Sequence, residues 1–127
     1  MPTAKRTRVA LGFDIPFSSA NRLAAMIRRR KIGCLELLDH YLDRVSRLNP
    51  QINAIVVVDE QRARARAKQA DRAAKRGDWR GPLHGVPMTV KESFDIAGLA
   101  TTWGHMRHRK NVARENALSV NRLLGAG

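Results

Sequence analysis

Lys91 is the residue of this sequence with the clearest chemical potential. It follows a short apolar run, Val86 to Val90, within the segment GPLHGVPMTVKESFDIAGLATTWG at residues 81–104. Such a run is typical of a buried strand, and a proline near the first residue of a strand is tolerated. An amine at the end of a covered strand can lose its proton and serve as a base, because burial disfavours the charged form. An isolated lysine there is more often an ordinary cation, so the spacing alone does not decide.

The other polar side chains give weaker signals. His105 and His108 lack a carboxylate or cysteine at a spacing suited to a metal. The single cysteine, Cys34, excludes a disulfide within the chain and a cysteine-cluster zinc site. His84 is interpreted as a structural hydrogen-bonding residue. We therefore predict no metal and no cofactor. Surface, capping or helix-face roles are assigned to His40, Asp43, Arg44, Glu92 and Asp95.

The segment around Lys91 resembles the region of the catalytic lysine in the amidase-signature family. Members of that family read Gly-Pro-Leu-His-Gly-Val/Ile-Pro, a short apolar strand, Lys-Asp/Glu and a Gly-Leu-Pro-Thr-Thr turn. The upstream helices agree as well, so the resemblance covers roughly residues 18–127. Ala100, His105 and Asn116 depart from the usual proline, serine and aspartate. The matching residues are Gly81, Pro82, Leu83, His84, Gly85, Val86, Pro87, Lys91, Gly98, Leu99, Thr101 and Thr102.

The resemblance implies a role for Lys91 as the base of a serine–serine–lysine triad. In the family this lysine acts through a bridging serine on a serine nucleophile, which attacks an amide carbonyl and forms an acyl-enzyme that water hydrolyses. A free lysine has a pKa of about 10.4, so holding one neutral at pH 7 requires a shift of about three units, or roughly 4 kcal/mol. Burial can shift a lysine by up to about 3–5 units. We therefore predict that Lys91 is mostly buried at the carboxyl end of a strand over residues 86–90.

The two serines of the triad have no counterpart in this sequence. The family carries both in a later Gly/Ser-rich stretch, whose pattern is matched by none of Ser18, Ser19, Ser46, Ser93 and Ser119. We therefore expect a fragment of an amidase, or the product of a reading frame that ends early, that is inactive by itself. Two alternatives stay open. One is a truncated, non-catalytic remnant or basic binding module, and the other is a relative of the A chain of the tRNA-dependent amidotransferases.

Three helices are predicted before the lysine segment. The first follows a serine cap at Ser18-Ser19, carries one apolar stripe, and is expected to end at Gly33 in a left-handed conformation. The second has apolar residues every three or four positions and is expected to stop at Asn49-Pro50. The third covers residues 59–76, where a stripe of alanines suits close packing.

Strands are predicted at residues 52–58 and 86–90, and a last helix from about Ala113. This order of helices and strands indicates an α/β fold. The resemblance specifies it as the N-terminal part of an α/β/α amidase-signature fold with a central mixed sheet. We divide the chain into a flexible basic N-terminus, residues 1–17, and an incomplete amidase domain, residues 18–127.

The net charge of +13 over 127 residues is the strongest feature of the composition. A basic excess attracts nucleic acids and anionic membranes. The cations are spread along the chain without a nucleic-acid-binding motif, so no specific nucleic-acid site is expected. No apolar run approaches the roughly 18 residues of a membrane span, and no secretory signal is evident. We predict a cytoplasmic protein that acts on a small-molecule amide, with a homodimer as one open arrangement.

Overall fold

The computed structural model describes residues 14–127, in which four α-helices provide most of the regular structure. α1 covers Ala20–Arg28, α2 covers Cys34–Ile52, α3 covers Glu60–Lys75 and α4 covers Leu118–Gly125. Short 3-10 helices lie at Ile15–Phe17 and Met106–His108. Turns and irregular chain fill the long segment between α3 and α4.

The first three helices enclose one apolar core, which confirms the three helices predicted before the lysine segment. Ser19 caps α1 by accepting the N–H of Arg22, as its position predicts. The small alanine side chains of α3 let this helix approach α2, while its arginines and lysines face solvent. The core residues of the three helices are Leu23, Met26, Ile27, Cys34, Leu37, Leu38, Ala67 and Ala70.

Most of the predicted flexible N-terminus, residues 1–13, lies outside the described residues. Residues 14–17 are packed against the core, because Ile15 is buried and its carbonyl accepts the Tyr41 hydroxyl at 3.2 Å. The chain is therefore held by α2 just before α1 begins.

The end of α1 differs from the prediction. Gly33 does not terminate α1; it is the extended N-cap of α2, and the left-handed residue is Arg30 with φ 55°. The N–H groups of Arg30 and Lys31 bond the carbonyls of Ile27 and Met26, which is the Schellman arrangement of a helix C-terminus. These hydrogen bonds, and the burial of Ile32 directly after them, favour closure at Arg30 even without a glycine.

The N-terminus of α2 is capped from another helix. The Asp71 carboxylate of α3 accepts the N–H groups of Cys34 at 2.7 Å and Leu35 at 3.0 Å. A helix leaves its first N–H groups without partners inside the helix, and a negative charge there also favours the helix dipole. Asp71 therefore links α2 to α3 and fixes their relative position.

The end of α2 also differs from the prediction. The helix continues through Pro50 to Ile52, and Asn53 closes it in the left-handed region with φ 50°. A proline removes one helical hydrogen bond, but only two helical residues follow it here. The Asn49 side chain then holds the exit of the helix, since its amide exchanges two hydrogen bonds of 2.9 Å with the backbone of Ile55.

The strands predicted at residues 52–58 and 86–90 do not form within residues 14–127, and that prediction is wrong for this structure. Pairing there is limited to one antiparallel bridge between Ala100 and Val112. A strand needs the backbone groups of a neighbour, and those of residues 56–58 and 88–90 have no partner in the described chain. The central mixed sheet is therefore absent from these residues, although their apolar side chains remain suited to one.

The last helix begins at Leu118, later than the predicted start near Ala113, because residues 111–113 bond back to the 98–101 loop. Its C-terminus packs on the turn that begins the lysine segment. The N–H of Leu83 bonds the carbonyl of Ala126 at 2.9 Å, and the N–H of Gly85 bonds that of Gly127 at 3.0 Å. The turn before Lys91 is therefore held by the last residues of the chain.

Candidate active site around Lys91

Lys91 lies on the wall of an open groove with a volume of about 1380 Å³. Its side chain is exposed and residues 86–91 contain no strand, so the prediction of a mostly buried lysine at a strand end is wrong for this structure. The physical reason is that nothing within residues 14–127 covers the groove. The lining is largely apolar and includes Leu48, Ile52, Val57, Met88 and Phe94, each exposed by 36% or more.

A tight turn follows Lys91 and places Glu92 at its first corner. The carbonyl of Lys91 accepts the N–H of Phe94 at 2.9 Å. The Glu92 carboxylate accepts the N–H of Thr102 through one oxygen and the N–H of Trp103, at 2.8 Å, through the other. Glu92 therefore joins the lysine turn to the Thr-Thr loop of the family motif.

The loop that Glu92 holds is an unusual turn, formed by residues 102–105. The N–H of His105 bonds the carbonyl of Thr102 at 2.9 Å, and the two central residues, Trp103 and Gly104, have φ of 53° and 70°. Positive φ at both central positions defines a type I′ turn, which favours glycine or asparagine. A tryptophan in this conformation is strained, typically by about 1–3 kcal/mol.

Hydrogen bonding lowers the pKa of Glu92. The largest contribution comes from the hydroxyl of Thr102, followed by the backbone N–H groups of Thr102 and Trp103, and partial burial opposes them. Donors that point at a carboxylate stabilise its charged form. Glu92 is therefore an anion at neutral pH.

Asparagines fasten the rest of this loop. Asn111 donates to the carbonyl of Thr101 at 2.8 Å, and the Asn116 side-chain oxygen accepts the N–H of Ala97 at 2.8 Å. The family often has an aspartate at the position of Asn116. Because either side chain offers an oxygen there, this departure leaves the contact intact.

His84 is buried, with 1% of its surface exposed, and it serves the fold. Its Nδ1 accepts the N–H of Arg80 at 3.1 Å, which leaves Nε2 to donate to the carbonyl of Ala70 at 3.0 Å. The ring packs edge-on against Trp79. Both nitrogens are occupied, which confirms the structural interpretation of this histidine.

Cys34 is also structural. Burial raises the pKa of its thiol to about 12, and the neighbouring Asp71 charge and hydrogen bond add to that shift. Such a thiol is neutral and unreactive at physiological pH. The rings of His105 and His108 lie 6.3 Å apart, and no group of three potential metal ligands comes together within residues 14–127.

The serines of the described chain are separate from Lys91. Ser18 and Ser46 donate to nearby backbone carbonyls, and Ser19 caps α1. Ser93 lines the groove, but no serine hydroxyl in residues 14–127 bonds the Lys91 amine. The structure therefore shows a lysine and a fastened loop, without the hydroxyl groups that a triad requires.

The segment that carries these features matches a known family. The sequence profile of the family described as Amidase matches residues 36–127. This match covers well over half of the chain and contains Lys91, Glu92 and the 102–105 turn. The chain belongs to the amidase family.

Two curated relatives illustrate the range of amidase-family proteins that this chain resembles. It is 38% identical to the acylamidase of Rhodococcus erythropolis over 114 residues, which cover 90% of this chain and 24% of the relative. It is also 38% identical to the A chain of the glutamyl-tRNA(Gln) amidotransferase of Thiobacillus denitrificans over 113 residues, covering 89% and 23% of the two chains.

A solved amidase-family structure has the same local fold. The native peptide amidase of Stenotrophomonas maltophilia superposes with a TM-score of 0.81 at 27% sequence identity, covering 90% of this chain and 24% of that one. The chain therefore spans about a quarter of the length of the relatives it matches. None of the helices in residues 14–127 has the length and apolarity to cross a bilayer.

Sequence reasoning missed Glu92, which was assigned only a surface or capping role. The signal was available, because an acidic residue directly follows the lysine in the amidase motif. Its partners lie ten and eleven residues further along, so no local pattern links them.

Proposed function

We propose that this chain supplies the lysine base of an enzyme that hydrolyses the carbon–nitrogen bond of a small amide. The match of the motif around Lys91 to the amidase family carries this proposal. The position of Lys91 on an apolar groove supports it, because covering that groove would remove water from the amine and favour its neutral form.

The proposed reaction divides the work between Lys91 and serines that this chain does not provide. The neutral amine of Lys91 takes a proton, through a bridging serine, from a nucleophilic serine. The serine oxygen attacks the carbonyl carbon, the carbon–nitrogen bond breaks, and the amine leaves with a proton. Water then cleaves the serine ester and releases the acid. No step needs a metal or a cofactor.

We further propose that residues 52–58 and 86–90 become strands of a central mixed sheet when the rest of an amidase domain is present. Their unpaired backbone groups and apolar side chains support this arrangement. Pairing would bring the apolar run before Lys91 into the interior. A cytoplasmic location and a homodimeric state stay predictions.

The second candidate is a component of a tRNA-dependent amidotransferase. The 38% identity to the A chain of such an enzyme and the net charge of +13 favour it. The related possibility of a non-catalytic remnant or basic binding module predicts that Lys91 has no role in turnover. Amide hydrolysis that depends on Lys91, without any need for tRNA, would separate the first candidate from both.

The test supplies the missing part of the fold. Residues 1–127 are combined with the remaining three quarters of the Rhodococcus acylamidase, and simple aryl and aliphatic amides are assayed. We expect Lys91→Ala to lower turnover by more than about 100-fold, as loss of an acid–base group typically does. Lys110→Ala is the control, because Lys110 is an exposed lysine of the same domain. Equal turnover in both variants would contradict the role of Lys91.

A further inference from the structure

The Glu92 carboxylate makes a two-point contact that few other side chains could replace. Its two oxygens accept the consecutive N–H groups of Thr102 and Trp103. An ionised carboxylate only accepts hydrogen bonds, so both oxygens suit backbone donors. A glutamine in the same place would direct its NH₂ group at one of those donors. The contact therefore depends on the charge and on the shape of the side chain.

The contact acts where the backbone most needs support. Trp103 and Gly104 hold the positive φ angles of the 102–105 turn, and the strain falls on Trp103 because it is not glycine. The N–H of Gly104 is also held, by the Thr102 hydroxyl at 3.2 Å. Three successive N–H groups of this turn thus bond Glu92 or Thr102, and Glu92 holds those of the strained residue and of the one before it.

The same contact fixes the position of the turn relative to Lys91. Glu92 is the next residue in the chain, and the Lys91 carbonyl closes the turn that begins there. The Trp103 ring, 67% exposed, lines the groove together with Lys91. Movement of the 102–105 turn would therefore change the wall that faces a molecule bound beside the amine.

We propose that Glu92 is a positioning residue of this amidase site: its carboxylate fixes the 102–105 turn, and with it Trp103, beside the segment that carries Lys91. The proposal rests on the proposed function for its catalytic meaning, whereas the contact itself is a property of residues 14–127. Glu92 does not exchange a proton with substrate in this role. It holds the backbone of the site in one arrangement.

The first test measures amide hydrogen exchange by NMR in the 127-residue chain. We expect Glu92→Gln to speed exchange of the Thr102 and Trp103 amides at least tenfold, while Glu92→Asp retains most of the protection because the family motif accepts either acid. Glu115→Gln is the control, since Glu115 is exposed and outside the loop. The Leu37 and Leu38 amides report whether a variant still folds. Unchanged exchange at Thr102 and Trp103 in a folded Glu92→Gln variant would overturn the proposal.

The second test measures turnover in the assembly with the remaining part of the acylamidase. We expect Glu92→Gln to lower kcat at least tenfold with a much smaller change in KM, and Glu92→Asp to restore most of the loss. Equal kcat in the parent and Glu92→Gln assemblies would reduce Glu92 to a structural contact and overturn its positioning role. A parent assembly without turnover would instead contradict the proposed function, and the exchange result would still decide whether Glu92 holds the turn.

Discussion

Two acidic side chains each bind a pair of consecutive backbone N–H groups in this structure. Asp71 holds the start of α2, and Glu92 holds the loop beside Lys91. The two contacts are chemically alike, but their surroundings differ. Asp71 lies against the buried thiol of Cys34, whereas Glu92 lies at the rim of an open groove. Their consequences at the scale of single residues can be tested separately.

The charge of Glu92 predicts how the loop responds to acid. Its pKa is lowered, first by the Thr102 hydroxyl and then by the two N–H groups. A carboxyl group whose pKa is depressed on folding contributes stability above its unfolded pKa, and loses it as the pH falls through the folded pKa. The contact should therefore be complete at neutral pH and released only in acid. In a pH titration by NMR, the Thr102 and Trp103 amide protons should shift with a midpoint below the value of about 4.3 for a free glutamate.

A matched variant identifies the titrating group. Glu92→Gln should remove this acid transition from both amides, whereas Glu115→Gln should leave it unchanged. A midpoint at or above that of a free glutamate would show that the hydrogen bonds do not favour the charged form.

The Cys34 thiol predicts a second residue-scale result. Because burial raises its pKa to about 12, with Asp71 adding to the shift, almost no thiolate is present at pH 8. We expect native protein to resist alkylation by iodoacetamide at this pH, and protein unfolded in urea to react completely. Mass spectrometry would count the label. Rapid labelling of the folded chain would show that the space around Cys34 opens easily.

Two glycines at the scale of elements share a backbone conformation but not their surroundings. Gly85 has φ 73° and Gly77 has φ 75°. A Cβ on Gly85 would lie 2.2 Å from the Cys34 sulfur, whereas a Cβ on Gly77 would meet nothing within 4 Å. Alanine at Gly77 should therefore cost only the backbone strain, about 1 kcal/mol. Alanine at Gly85 should cost about 1–3 kcal/mol more, because the core must move.

Urea unfolding of the two variants measures this difference. The comparison subtracts the shared backbone term, so the remaining free energy of unfolding reports the contact between the 81–85 turn and α2. Equal losses in Gly77→Ala and Gly85→Ala would mean that this turn can move away from Cys34 without cost.

The helices could be predicted from the sequence, but two of their ends could not. The periodicity of Leu23, Met26 and Ile27 is a local property, and it identified both α1 and its buried face. Gly33 and Pro50 were interpreted by their usual roles as helix terminators. Arg30 and Asn53 instead take the left-handed positions, because Met26 and Asn49 offer the carbonyls that close these turns. Such partners are decided by tertiary packing.

The strands and the site show a different limit. A buried strand is predicted from its side chains, but it exists only when a neighbour pairs with its backbone, and residues 56–58 have none in the described chain. Lys91 could be found from its motif, while its exposure could not. Burial depends on what covers the groove, which no pattern within residues 86–91 contains.

At the scale of the whole molecule, the purified 127-residue chain should have no amidase activity. Lys91 is exposed, and no serine hydroxyl in the described chain bonds it. We expect the chain and its Lys91→Ala variant to give equal background rates on aryl and aliphatic amides. Turnover by the parent that disappears in the variant would show that these residues suffice for catalysis.

The net charge predicts weak binding to nucleic acid with a strong dependence on salt. Lys68 and Arg72 are exposed on α3, one helical turn apart, and they represent a surface without a base-reading motif. Affinity for duplex DNA should fall steeply and independently of sequence as salt rises. Replacing both residues by alanine should reduce the slope of log K against log salt by roughly two. Nanomolar, sequence-selective binding at physiological salt would contradict a diffuse electrostatic contact.

A ribosome that makes a longer amidase from this sequence would expose the groove well before anything could cover it. The curated relatives are several times longer than the segment they share with this chain. At cellular synthesis rates the remainder would take on the order of tens of seconds to emerge. During that time Ile52, Val57 and Met88 would face solvent beside unpaired backbone groups, which is a surface prone to aggregation. The yield of such an enzyme would then depend on chaperones that hold nascent chains until the later strands arrive.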